Sequence, residues 1–278
     1  MKKKGKTKKR MFLKIFLILL LIYVMIQPSN DRDWTDDQKV LANSEINKNL
    51  VAIYNIRNFN YRSTEDYDLN YYDKTFDLNQ LETVDFLLST FSDWKGPAHA
   101  FLSFGFNTDQ GMEYVSVSVE IRKEKGEDYS PWMGLLKQYE LSYVVADERD
   151  VVKLRTNYRK DPVYLFPIET TKENIQKLFL SMINRSNDLH ENPEFYNTIT
   201  NACTTNIVDH VNEVVPDRIP WSYKIILPGY SDELAYELNL IDTAVSLEEL
   251  REKYMINDLA MQYADSENFS EMIRKNLK

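Results

Sequence analysis

Eight of the first fourteen residues are Lys or Arg (Lys2, Lys3, Lys4, Lys6, Lys8, Lys9, Arg10 and Lys14), and none is acidic. The segment that follows, Met11 to Ile26, is apolar apart from Lys14 and Tyr23 and stops at Gln27-Pro28-Ser29-Asn30. A basic head joined to an apolar stretch has no place in the core of a soluble body and belongs at a membrane. Unassisted crossing takes about 20 apolar residues. A shorter segment gains reach from a lysine that snorkels to the headgroups and a tyrosine at the opposite interface. Cleavage as a signal peptide calls for small residues of the A-x-A kind. Ile26-Gln27-Pro28 offers none, and no cysteine stands near for lipid attachment. The sequence therefore predicts a basic cytoplasmic tail (1–10) and an uncleaved transmembrane signal-anchor (11–27). The positive-inside rule puts residues 30–278 outside the cytoplasm, on a single-pass protein of the bacterial inner membrane.

Beyond the head the charge reverses, with 26 basic against 43 acidic residues. An acidic body argues against nucleic acid as a partner, because phosphate binding needs a concentrated positive surface that displaces counterions. With 43% hydrophobic residues in 278, the chain supports one good core and one domain with appendages. The polar stretch 28–50 reads as a tether, 51–245 as the folded domain and 246–278 as a C-terminal helical extension. Asn58 to Phe76 is too aromatic for a linker and reads as an extended segment packed on the domain.

Strand patterns follow at Val84–Leu88, Ala98–Phe106 and Met112–Ile121, the last two joined by a glycine-containing loop as a hairpin. Leu135 to Val145 is ambiguous between helix and strand, while Val151–Thr156 and Val163–Ile168 read as strands. From Thr170 the period becomes helical, opened by the capping-box spacing Thr170-Thr171-Lys172-Glu173. Further helices are predicted from Asn201 to before Pro216 and from Leu247 towards Tyr263. The fold class is α+β, a mostly antiparallel sheet with helices beside it.

Cys203 is the chain's single cysteine. Outside the cytoplasm an unpaired thiol is a liability unless buried or used. It sits where a helical pattern starts, so free backbone N–H groups and the helix dipole favour its thiolate. A buried structural cysteine is the bland alternative, but that role suits a mid-helix position better. A thiol nucleophile needs a base, and there are three histidines. His210 lies seven residues on along the same helix, about 10 Å away. His190 sits in a polar loop, Asp188 to Pro193, where solvation explains it. His99 opens the first hairpin strand and is the favoured base. Hairpin register sets Ser118 to Glu120 beside it, and Glu120 is preferred over Ser118 because an anion orients and stabilises an imidazolium.

Four segments, GPAHAFLSFG (Gly96–Gly105), SVEIRKEKGE (Ser118–Glu127), LRTN (Leu154–Asn157) and FYNTITNACTTN (Phe195–Asn206), resemble the Lnb-type N-terminal periplasmic domain family, in the family's order. The likeness runs from about Ile56 to Asp242. It implies a permuted papain-like core, histidine before cysteine, and a thiol enzyme similar to the lipoprotein N-acyltransferase that gives the family its name. That enzyme moves an acyl chain to the α-amine of a lipoprotein's N-terminal cysteine. The chain departs in having one short anchor where the acyltransferase is expected to have a larger membrane part.

The sequence thus predicts acyl transfer or hydrolysis by Cys203, His99 and Glu120, with a membrane lipid or lipoprotein as substrate. No cofactor and no metal is called for, and no oligomeric state is set. Arg57, Arg62, Arg149, Arg155 and Arg159 are candidates for an acidic headgroup, set against ordinary ion pairing. The rival expectations are an NlpC-like cell-wall amidase or peptidase, and a non-catalytic envelope interaction domain.

Overall fold

The computed structural model describes residues 2–277. A 24-residue helix, α1 (Lys2–Met25), leads into a body built on one large sheet. Its strands are β1 (Asn43–Asn47), β2 (Leu50–Arg57), β5 (Tyr71–Asp77), β6 (Leu81–Thr90), β7 (Ala98–Thr108), β8 (Gly111–Arg122), β9 (Glu140–Ala146) and β10 (Val163–Pro167); β3 (Asn60–Tyr61) and β4 (Tyr67–Asp68) form a separate small hairpin. The order across the sheet is β1-β2-β9-β8-β7-β6-β10, with β5 also on β2. All pairings are antiparallel except β2 with β9. The α+β expectation holds.

Helix α3 (Lys172–Glu191) is capped by Thr171, whose hydroxyl accepts from the Asn174 N–H, and buries Ile175, Phe179, Met182 and Ile183. It shares a core with α4 (Cys203–Val214) and with Leu102, Phe104 and Val117 of the central hairpin. The opposite face of the sheet is covered by α2 (Glu148–Lys153) and the C-terminal helices, around Leu87, Phe101 and Val151. The short helices α5 (Tyr223–Ile226) and α6 (Ser231–Glu237) follow α4.

Three expectations are corrected. Val151–Thr156 is helical, running from α2 into a π-helical turn, Leu154–Arg159. Its β-branched residues suggested a strand, but the Asp147 side chain caps the first turn and Val151 and Val152 are buried as one helical face, so tertiary packing overrides propensity. The helix predicted over 247–263 is broken in two, α7 (Leu247–Tyr254) and α8 (Asn257–Gln262), because the edge of β10 takes up the backbone between them: the Ile256 N–H donates to Val163 O at 3.0 Å.

The largest correction concerns residues 28–50, which are folded onto the body rather than forming a tether. Trp34 is 4% exposed, with the Arg122 guanidinium over its ring at 4.2 Å. The Ser29 N–H donates to Glu140, Asn30 donates to the Leu189 carbonyl, and β1 joins the sheet. As for α1 itself, no helix among the described residues is long and apolar enough to cross a membrane. Its apolar side chains nevertheless face outward, Phe12 and Met25 among them.

The C-terminal residues are equally integral. Ile256, Ala260, Phe269 and Ile273 are fully buried, the last two in or just after α9 (Phe269–Met272). Arg274 reaches inward to Asp85 at 2.7 Å and Glu148 at 2.6 Å, both carboxylates buried. Arg274→Ala strands both carboxylates without a counter-charge and is expected to cost about 3–5 kcal/mol. Urea unfolding checks this, and an unchanged midpoint would show that the C-terminal helices are mere appendages.

Candidate functional site

The β7–β8 hairpin turns at Asp109-Gln110 and pairs Leu102 with Val117 and Thr108 with Gly111. Carried to the open end of the hairpin, that register sets His99 across from Glu120. Helix α4 lies against the same hairpin and presents its first residue, Cys203, to the His99 end. The preceding Ala202 is extended and has no side-chain acceptor. Instead the Thr205 hydroxyl accepts from the Ala202 N–H at 2.7 Å and fixes the entry to the helix. The Asn206 amide donates to the Ala202 carbonyl, and Asn206 Oδ1 accepts from Tyr143 of β9, which ties α4 to the sheet.

Cys203 is 5% exposed, and its sulfur lies near enough to the His99 ring and the Ala100 N–H for both to favour its charged form. The other side of the ring is held by two acceptors. His99 Nε2 is 2.7 Å from Ser118 Oγ and 3.1 Å from Glu120 Oε1. Ser118 donates its only hydroxyl proton to Glu120 at 2.7 Å, so it accepts from Nε2–H. Nε2 is therefore the protonated nitrogen, and Nδ1 is left for the thiol.

Behind Glu120 stands Arg155, in the π-turn, with Nη2 2.8 Å from Glu120 Oε1 and Nη1 on the Val151 carbonyl. The guanidinium and the His99 ring both lie against Phe101, at 5.0 and 5.8 Å. π-Helical turns recur at functional sites; here the turn aims a buried cation at the carboxylate.

Burial opposes the charge on each member of the set. For His99 the Glu120 carboxylate outweighs it, with hydrogen bonds from Cys203 and Glu120 adding, and the ring is pushed up to about 9. Burial pushes the Cys203 thiol up, but the hydrogen bond and charge of His99 and the Ala100 N–H prevail, so the thiol lies below its usual range. Desolvation of Glu120 is likewise overcome by His99 and Arg155, which hold its carboxyl well below the ordinary range. At neutral pH these directions favour a thiolate–imidazolium pair, the reactive form of a cysteine.

The other sequence candidates lie elsewhere. His210 is buried between Tyr143 and Ser181, at 2.8 and 2.7 Å, and burial lowers its pKa to about 4. His190 is in the last turn of α3, not a loop, and is exposed. Arg57, Arg62 and Arg149 are paired with Asp150, Asp66 and Asp147, and Arg159 is exposed. Ser118, passed over for Glu120, and Arg155, considered only for a headgroup, both belong to the array. Tyr196 and Tyr129 lie close by, both raised by burial and by the nearby Cys203 charge. The LRTN run was the one sequence signal for Arg155.

A cavity of about 200 Å³ runs along α4 from Thr204, the residue after Cys203 in sequence, to Val215; Cys203 and His99 are not among its walls. Its walls are apolar, with Phe86, Leu102, Leu178, Ile207 and Val211 among them.

Residues 67–229 match the family model of the Lnb N-terminal periplasmic domain, a span that contains every member of the array. No curated protein and no solved structure matches the chain.

Proposed function

The chain belongs to the Lnb N-terminal periplasmic domain family, and from that premise we propose that its extracytoplasmic domain is a thiol enzyme, anchored by α1, that transfers or hydrolyses a fatty acyl group of a lipoprotein or phospholipid. The observation that carries this reading is the mostly apolar cavity walled by α4 from Thr204 onward, on the helix whose first residue is the thiol whose charged form His99 favours. A charged cell-wall peptide would gain nothing from such walls, whereas each buried methylene of an acyl chain contributes about 0.8 kcal/mol.

In the first half-reaction the Cys203 thiolate attacks the ester carbonyl, and a C–S bond forms as the carbonyl electrons move to oxygen. The Cys203 backbone N–H, in the unpaired first turn of α4, faces that oxyanion. Collapse breaks the C–O bond, and the His99 imidazolium gives its proton to the departing alkoxide, leaving an acyl-thioester on Cys203. His99, now neutral, accepts a proton from an incoming amine or water as that nucleophile attacks the thioester. The C–S bond breaks and restores the thiolate. Glu120 stays ionised throughout, with Ser118 and Arg155 fixing its position. The order histidine before cysteine suits a permuted papain-like arrangement.

Val211→Trp tests the cavity. An indole there fills the far half of the channel and leaves Cys203 untouched. The ratio of kcat/KM for palmitoyl over butyryl p-nitrophenyl esters is expected to fall by roughly 10–200-fold, the scale on which apolar pockets discriminate. An unchanged ratio would show that the acyl chain lies elsewhere.

A further inference from the structure

Trp34 is buried, but the other three tryptophans are not: Trp94, Trp132 and Trp221 are 59%, 76% and 80% exposed. Tryptophan is ordinarily well covered, and its exposure on several neighbouring loops calls for a partner. The loops that carry them meet around the thiol. The segment 91–97 leads into His99, and the Gly229 N–H donates to Gly96 O at 3.0 Å, an approach so close that a Cβ on Gly229 would strike the Lys95 carbonyl. Trp221 and Tyr223 precede and open α5, whose Ile225 carbonyl accepts from Thr204 beside the nucleophile. Trp132, with Met133 and Leu136, sits on a turn held to the segment before Cys203 by Thr198, which donates to Pro131 O at 2.7 Å.

The N-terminal helix ends on this same rim. Tyr23 donates to the Leu135 carbonyl at 3.3 Å, and Lys137 lies over the Tyr23 ring and donates to Tyr23 O and Ile26 O. A free tether of 23 residues would let the domain stray by roughly 75 Å from the end of the helix. With residues 28–50 folded onto the body, that slack does not exist. Wherever the apolar part of α1 lies, the Trp132 turn lies at its end.

We propose that the rim formed by Trp94, Trp132, Met133, Leu136, Trp221 and Tyr223 docks on the surface of a lipid bilayer, so that Cys203 meets its acyl substrate at the membrane interface. This rests on the acyl reading for its purpose but not for its evidence. Indole and phenol rings settle at the headgroup level, apolar body inward and polar edge to water. Asp93 and Asp128, exposed on the same loops, are balanced by Lys95 and Lys137, so these loops present no net positive charge to anionic headgroups. Attachment is therefore by aromatic insertion, and it is independent of anionic lipid and of salt.

The test uses the full chain reconstituted in zwitterionic phosphatidylcholine vesicles, with lipids brominated high on their acyl chains as quenchers. Helix α1 carries no tryptophan, so its insertion alone is silent. Tryptophan emission is expected to drop in brominated relative to plain vesicles, equally at low and high salt. In Trp94→Phe/Trp132→Phe/Trp221→Phe the remaining Trp34 emission is expected to be the same in both. Unquenched wild-type emission overturns the proposal, as does quenching that survives in the triple variant or a blue shift that follows protein concentration without lipid, the sign of a second copy on this surface. Quenching without any acyl turnover would sink the acyl reading and leave the docking surface standing.

Discussion

Cys203→Ala is expected to leave the protein folded and to remove turnover altogether, because the proposed covalent intermediate forms on the thiolate that His99 favours. The substitution retains the Cβ and takes one buried sulfur from the end of α4, so the hairpin and helix keep their other contacts. Incubation with an acyl ester followed by intact-mass spectrometry should show an acyl adduct on the wild-type chain and none on the variant. A variant that still acylates itself would remove Cys203 from the chemistry. In cells the corresponding measurement is the N-terminal acylation of lipoproteins. An unchanged pattern would exclude lipoproteins as the substrate and leave another acyl ester for the thiol.

Glu120→Gln is expected to slow acyl transfer by roughly 10²–10⁴-fold, the range associated with a positioned acid or base. Burial alone would hold His99 low, and the Glu120 charge is what brings it up to about 9. Without that charge the ring loses its proton at lower pH, and the thiol, no longer beside an imidazolium, moves up.

The sign follows from the two directions. In the wild type the thiolate persists down to the lowered Cys203 pKa and is lost as pH falls through it. The imidazolium that protonates the leaving alkoxide is lost as pH rises through about 9. In the variant the rise of iodoacetamide alkylation of Cys203 is expected to shift to higher pH, and the alkaline limb of turnover to lower pH. Identical alkylation profiles would remove Glu120 as the source of the ion pair. Because Glu120→Gln also leaves Arg155 buried without its partner, some stability is lost with it. Glu120→Gln/Arg155→Met removes the orphan charge and is expected to recover stability without recovering rate, which separates a positioning carboxylate from a structural one.

The positions of Cys203, His99 and Glu120 were legible because each follows from a local rule. A hairpin register is fixed by its turn, so the sum of paired residue numbers carries from Thr108 and Gly111 to the far end. The start of α4 was marked by a change of hydrophobic period. Ser118 fell within the same register window, and only the direction of its hydroxyl decided its part. Arg155 was out of reach in this way. Val151 and Val152 read as strand, and only burial of both on one helical face, with a π-turn behind them, swings the guanidinium towards Glu120.

What the sequence alone determined, then, is the α+β class, the basic head with its apolar segment, and a lone thiol at a helix start facing a histidine-bearing strand. These depend on composition, period and short-range spacing, all of which are written along the chain. What only the tertiary structure decided is the absence of a tether, the apolar channel along α4 and the ring of exposed tryptophans around the thiol. Residues 28–50 are polar, and their attachment rests on a few contacts with partners about a hundred residues away, such as Trp34 with Arg122 and Ser29 with Glu140. No local pattern announces such contacts, because the free energy that selects them is realised only when distant segments are already folded side by side.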